Sequence, residues 1–420
     1  MAQIIFAPRF AQCPWNTFSK GAFYVSKQQL SFANLFFLWF GAAVSVAEIL
    51  TGGLLADLGL ERAMWANVLG HLAGTSLLVL AGWIGFRERL PAIMSTRISF
   101  GRQGSWLISG INVLQLLGWT AWMVLLGGGA LNSLTTQLWG FDHQAALSAV
   151  VGACIAFWVF LGVRGFKWLN MVAVSLLLVL TVVLSWVLLN RPGALSGGAG
   201  PGEFHFGFEM AIIMPLSWFP LIADYTSMSR SRTASWLAPL LGYLFGSCWM
   251  YGIGILGALH SGSFDPARMM LAANLGLAAL AVIGLSTITT TFLDVYSAAV
   301  STLNVFPKLD RRWTSVFFAA VGTVLAMFVP ITEYEWFLYL LGSIFAPLIA
   351  VLLTDYFILR TDRRDSDWDP AATLSLALGV ALYYQLKPYG LVVGPTLITI
   401  LGTCLLHLTV RGLAKTFFRV

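Results

Sequence analysis

"GAAVSVAEILTGG", residues 41–53, lies inside an apolar run from Leu30 to Leu55 that is long enough to cross a bilayer. Yet it holds Glu48, the hydroxyls of Ser45 and Thr51, and three glycines. A carboxylate in the middle of a membrane helix costs about 2.5–3.5 kcal/mol on insertion scales, so it faces a cavity or a partner and marks function. The alternative is a structural hydrogen bond to a neighbouring helix. At a helix break, a carboxylate accepts hydrogen bonds from an amino group, and when protonated it also donates to a ring nitrogen. That favours an amino-bearing heterocycle or a cation as ligand.

The rest of the chain has the same character. Of its 420 residues 58% are hydrophobic and 10% charged, where soluble domains carry about 25% charged. Apolar runs of membrane length fall at 30–56, 63–86, 104–136, 145–163, 167–189, 206–228, 236–259, 271–303, 314–330, 334–359, 371–386 and 390–410. An all-α polytopic membrane protein of twelve transmembrane helices is expected. About 28 mixed residues precede the first run, unlike a signal peptide, whose apolar core follows the first basic residues directly. Cys13, Cys154, Cys248 and Cys404 are far apart and have no metal-ligand spacing. They read as small packing residues.

The net charge of +6 is topological. With the N-terminus in the cytoplasm, 20 of the 24 Lys and Arg fall on the cytoplasmic side and only Arg62, Arg191, Arg268 and Lys387 on the other, as the positive-inside rule requires for twelve helices with both termini inside. Nucleic acid is not an expected partner; the lipid bilayer is. A multi-pass protein of the bacterial inner membrane, functional as a monomer, fits these features.

The chain divides into a leader (1–29), a first five-helix repeat (30–189), a glycine-rich extracytoplasmic loop (190–205), a second five-helix repeat (206–359) and two appended helices with a short cytoplasmic tail (360–420). Secondary transporters pair broken helices at matching positions of inverted repeats. Here residues 41–53 interrupt the first span, and Pro215 and Pro220 in "MPLSWFPLIADY" interrupt the sixth. Backbone groups freed by such breaks need protein, water, an ion or a substrate, so a binding site is expected between them. Glycines for close helix packing and mere proline kinks are the bland alternative.

Three further constellations stand beside Glu48. Gln115 and Trp119, at i and i+4 in the third span, share a helical face, where an amide beside an indole would bind the edge and face of a planar ring. Ser217 and Trp218 lie at the sixth-span break and supply a second indole for an aromatic sandwich. "GLSTITTTFLDVYS" (284–297) packs five hydroxyls into six positions before Asp294. Ser286, Thr289 and Thr290 form a polar stripe suited to a small hard cation, and Asp294 is either a charge on the ion or substrate path or a buried structural partner. Asp224 and Asp355, near Arg230 and Arg360 in sequence, read as structural pairing or capping groups. The histidines have no ligand spacing, and the chain has no Walker-type phosphate loop.

The stretches "ISFGRQGSWLISGINVLQLLGWTAW" (98–122), "LIADYTSMSR" (221–230), "GLSTITTTFLDVYSA" (284–298) and "GSIFAPLIAVLLTDYFI" (342–358) resemble the nucleobase:cation symporter-1 family, most closely its hydroxymethylpyrimidine (thiamine precursor) branch, related to the cytosine permeases. The resemblance implies a leucine-transporter-type fold of two inverted five-helix repeats plus two helices, with helices 1 and 6 broken, and sodium-coupled uptake by alternating access. It implies a Na+ site at the hydroxyls of Thr289 and Thr290 and the carbonyls of Ser286, Gly41 and Val44, and substrate contacts at Ser45, Glu48, Gln115, Trp119, Ser217, Trp218 and Thr291. Cytosine and hydantoin members present asparagine at the position of Thr291 and no carboxylate at that of Glu48. The altered pocket suits hydroxymethylpyrimidine, whose amino group would donate to Glu48 while its ring stacks on Trp119 or Trp218.

The leading reading is thus a secondary active transporter importing a small pyrimidine by Na+ symport. The alternative is a cytosine or other nucleobase or amino-acid permease driven by H+ through Glu48 or Asp294. A membrane enzyme would need acidic or histidine clusters in interfacial loops. Here the polar groups concentrate within the spans, so no catalytic activity is expected.

Overall fold

A computed structural model describes residues 29–161, 163–190 and 200–418. Almost all of the expected leader, most of the glycine-rich loop and Cys13 lie outside the described residues. The described chain is helical, with a single isolated bridge between Leu30 and Ser229.

The first span is two helices, α1 (Phe32–Ala43) and α2 (Val46–Leu54), which with the turn to Leu58 are bent by 55°. Sequence sets the break. Val44 leaves helical geometry at ψ 81° and Ser45 is extended, so the Ser45 hydroxyl can cap α2 by accepting from the Ala47 N–H at 3.2 Å. The Ser45 N–H, which in an unbroken helix would close on the Gly41 carbonyl, donates instead to Ala43 at 2.9 Å.

There follow α3 (Leu60–Glu88), the short α4 (Ala92–Ser95), α5 (Arg97–Trp139), α6 (Gln144–Leu161) and α7 (Val163–Leu189). The second half repeats the opening with α8 (Phe204–Ser217) and α9 (Phe219–Thr226), bent by 45°. Pro215 and Pro220 lack the N–H groups that would bond the carbonyls of Ala211 and Leu216, and the helix turns at Trp218 between them. Then come α10 (Arg232–Ser261), α11 (Pro266–Ala272), α12 (Gly276–Val305), α13 (Arg311–Ala326), α14 (Tyr334–Leu353), α15 (Pro370–Leu386) and α16 (Gly394–Phe418).

By length and composition seven helices qualify as membrane spans among the described residues, and the two bent pairs raise this to nine. The sequence predicts twelve. The other three expected runs coincide with α7, where Ser175–Leu189 is a shorter apolar helix, and with α13 and α15. These last have 16 and 17 residues, about 24–26 Å at 1.5 Å per residue, short of a hydrocarbon core about 30 Å thick.

Close backbone approach seats the broken span. α2 packs on α10, and a Cβ on Gly254 would overlap the Ile49 carbonyl, as one on Gly52 would overlap that of Tyr251. Overpacking such a contact costs about 1–3 kcal/mol. Gly254→Ala is therefore expected to lower the apparent Tm of purified protein, whereas Gly110→Ala, at a helical glycine with open space around it, leaves it unchanged. Equal Tm values for the two variants would contradict this packing.

Asp224 and Asp355 find partners other than their sequence neighbours. Asp224 accepts from the Ala92 N–H at 2.8 Å, at the start of α4. Asp355 binds Arg411 and His407 of α16. Cys154 is exposed, and Cys248 and Cys404 are partly buried, all as free thiols.

Candidate binding cavity

The two breaks face a cavity of about 490 Å3, including the part open to solvent. Its lining comes from four places: Ala42, Ser45, Ala47 and Glu48 around the first break; Gln115, Leu116, Trp119 and Met123 on α5; Met214, Ser217, Trp218 and Leu221 around the second break; and Thr290 and Asp294 on α12. Six of the seven expected substrate contacts thus share one cavity. Thr291 is not in the lining; it is fully buried, and its hydroxyl donates to the Thr287 carbonyl at 2.7 Å.

Hydrogen bonds fix the polar groups. Gln115 Nε2 donates to Asn112 Oδ1 at 2.9 Å and to the Ser217 carbonyl at 3.1 Å, which ties α5 to the second break. Both acceptors are carbonyl oxygens, so the amide orientation is determined, and the buried Gln115 Oε1 has no hydrogen-bond partner among the described residues. The Ser217 hydroxyl bonds back to the Met214 carbonyl at 2.7 Å, so this residue offers its carbonyl to Gln115 while its own hydroxyl is engaged.

The two indoles are held by separate aromatic clusters. Trp119 meets Phe337 edge to face at 5.2 Å between centroids and Tyr334 at 6.2 Å. Trp218 meets Trp39 at 5.8 Å and Tyr243 at 6.4 Å in the same manner. Packing of this kind fixes ring orientation, which a stacking surface needs.

Glu48 is 2% exposed, and hydroxyls surround it: Tyr243 donates to Oε1 at 2.7 Å and Ser247 to Oε2 at 2.6 Å. Behind Ser247 lies His71, whose Nε2 is 2.6 Å from the serine oxygen. The sequence reading missed all three. His71 could have been found, since an ionisable residue inside an apolar helix is itself a signal; Tyr243 and Ser247 carried none.

Of the expected ion ligands, Thr290 lines the cavity, and its hydroxyl donates to the Ser286 carbonyl at 3.0 Å. Val44 is at the end of α1, where the helix opens, and Gly41 is one turn earlier. The Thr289 side chain lies outside the described residues. Asp294 is in the cavity wall, one turn beyond Thr290, so among the described residues the lining holds two carboxyl groups and no Lys, Arg or His.

Comparison with known proteins follows the same lines. A family model described as "Permease for cytosine/purines, uracil, thiamine, allantoin" matches residues 25–410. The chain is 27% identical over 380 residues to the cytosine permease of Escherichia coli (strain K12), covering 87% of this chain and 88% of that protein. It is 23% identical over 441 residues to the hydantoin permease of Microbacterium maritypicum, covering 90% and 86%. Among solved structures, the inward-facing conformation of Mhp1 aligns with a TM-score of 0.81 at 20% identity, over 93% of this chain and 92% of that one. The closed conformation of Mhp1, a nucleobase-cation-symport-1 family transporter with bromovinylhydantoin bound, aligns at 0.77 and 21% identity, over 93% and 94%. At such identities the structural likeness speaks for the fold alone.

Proposed function

The chain belongs to the family of permeases for cytosine/purines, uracil, thiamine and allantoin, and from that premise we propose that it imports a small aminopyrimidine, hydroxymethylpyrimidine in the first place, by Na+ symport. Its relatives are permeases, and the protein is a transporter rather than an enzyme. The observation that carries the substrate class is the acidic lining: Glu48 and Asp294 share the cavity wall with Gln115 and the indoles of Trp119 and Trp218, and no Lys, Arg or His lines it among the described residues. Such a site wants a flat ring bearing N–H or O–H donors.

A 4-amino-5-hydroxymethyl-2-methylpyrimidine supplies an amino group for Glu48, a hydroxymethyl donor for Gln115 and a ring face for Trp119 or Trp218. Cytosine, also an aminopyrimidine, is the second reading, favoured by the cytosine permease among the relatives. Transport would follow alternating access in a monomer in the bacterial inner membrane, with both termini cytoplasmic.

The coupling cation is cargo. Thr290 and Thr289, with the carbonyls of Ser286, Gly41 and Val44, are the proposed Na+ ligands, oxygen donors of the kind a hard cation takes. Uptake of labelled hydroxymethylpyrimidine into proteoliposomes is expected to need an inward Na+ gradient, to fail with K+ and to resist excess cold cytosine. Thr290→Ala should lose the Na+ dependence and Thr290→Ser retain it. Uptake equally fast with K+ would remove sodium from the proposal, and full competition by cytosine would turn the substrate to the second reading.

A further inference from the structure

Glu48 Oε2 and His71 Nε2 each lie 2.6 Å from the same hydroxyl oxygen, that of Ser247. All three residues are buried, as is Tyr243 against Oε1. His71 Nδ1 is 2.9 Å from the Asn67 carbonyl. A carbonyl only accepts, so Nδ1 carries a hydrogen, and Nε2 is then an acceptor in the neutral ring and a donor only in the imidazolium.

Ser247 has one O–H to give. Between a carboxylate and a neutral imidazole it could satisfy one, leaving the other 2.6 Å contact between two acceptors. One additional proton satisfies both. With that proton on His71, Nε2–H donates to Ser247 and Ser247 donates to Glu48. With it on Glu48, Oε2–H donates to Ser247 and Ser247 donates to His71. The trio therefore holds one shared proton and no net charge in either arrangement.

Of the two ends of this relay, Glu48 lines the cavity and His71 does not; the Tyr251 ring meets His71 edge-on at 4.5 Å. We infer that His71, acting through Ser247, takes up the proton of Glu48 when a substrate amino group donates to that carboxyl, so that His71 is a positioning residue for recognition. The inference rests on the proposed permease function. The Glu48 O–H bond breaks, Ser247 accepts that proton and passes its own to His71 Nε2, and no proton enters or leaves the protein. The other titratable groups around the pair are Tyr243, Cys248 and Tyr251 of α10, Tyr334 of α14 and, in the cavity wall, Asp294 of α12. The phenols and the thiol ordinarily ionise well above neutral pH, which leaves Asp294 as the other carboxyl facing substrate.

Calorimetry of the full chain in nanodiscs, with hydroxymethylpyrimidine and with cytosine in two buffers of different ionisation enthalpy, tests the relay. Wild-type protein should bind without exchanging a proton with the buffer. Below the Glu48 midpoint His71→Gln should release one proton per substrate bound, its affinity rising about tenfold per pH unit, and above that midpoint both the release and the rise should stop. Proton release by the wild type, or a His71→Gln variant matching it in both respects, overturns the inference.

A substrate-free measurement keeps the two ideas separable. In substrate-free wild type at neutral pH, the protonated-carboxyl infrared band lost in Glu48→Gln and the imidazolium 15N signal lost in His71→Gln should together account for one proton. A sum of two protons, or of none, overturns the relay. If neither pyrimidine binds, the permease substrate falls while that sum still decides the shared proton.

Discussion

Glu48→Gln is expected to weaken binding of hydroxymethylpyrimidine at least tenfold, and Glu48→Ala to abolish measurable uptake. A carboxylate has about four lone-pair sites, and Tyr243 and Ser247 occupy two of them, which leaves acceptor capacity on the cavity side. A hydrogen bond to a charged group contributes about 1.5–3 kcal/mol, which corresponds to roughly 10- to 150-fold in affinity. Glutamine keeps the length of the side chain but brings an NH2 group where Tyr243 or Ser247 now donates, so one of those hydroxyls has to turn as well. Binding of labelled pyrimidine to purified variants measures the loss. Wild-type affinity in Glu48→Gln would leave the carboxylate with the structural role that its bonds to Tyr243 and Ser247 already provide.

The broken helices were legible because their causes are local. Ser45 is a helix cap by type, and Pro215 and Pro220 lack donors whatever surrounds them. Gln115 and Trp119 were legible by period, and they do share the cavity-facing side of α5. The hydroxyl run on α12 was legible as a feature but not in phase. At 100° per residue, six consecutive positions cover the whole circumference, so composition cannot say which stripe faces the cavity. In the structure Thr290 and Asp294 face it, whereas Thr287 lies against Gly127 of α5 and Thr291 is buried. That turn of one residue is what removes Thr291 from the lining.

The environment of Glu48 was out of reach for a different reason. His71 and Ser247 are 176 residues apart and meet only because α3 and α10 pack together. Single serines and tyrosines in apolar helices announce nothing. The same limit hid the partner of Asp355, for which sequence proximity suggested Arg360 and the fold supplied Arg411.

That last pairing sets the largest expected stability effect. Arg411, 4% exposed, spans two buried carboxylates: its Nε and Nη2 meet Asp355 at 3.2 and 2.9 Å, and its Nη1 meets Asp369 at 2.7 Å. Asp369 also caps α15 by accepting from the Ala372 N–H at 2.8 Å, so one guanidinium joins the end of α14, the start of α15 and α16. Removing one partner of a buried pair costs about 3–5 kcal/mol, because the remaining charge is left uncompensated. Arg411→Met should therefore lower the apparent Tm by roughly 5 °C in a chain of this size. Adding Asp355→Asn should recover part of the loss, since the second change removes the charge that the first one stranded and leaves His407 with a neutral partner. A Tm unchanged by Arg411→Met would mean that His407, 3.0 Å from Asp355, carries the compensation by itself. Asp355→Asn alone, which leaves Arg411 still paired with the Asp369 carboxylate, should then cost less than Arg411→Met does if the guanidinium is the group that holds the three helices together.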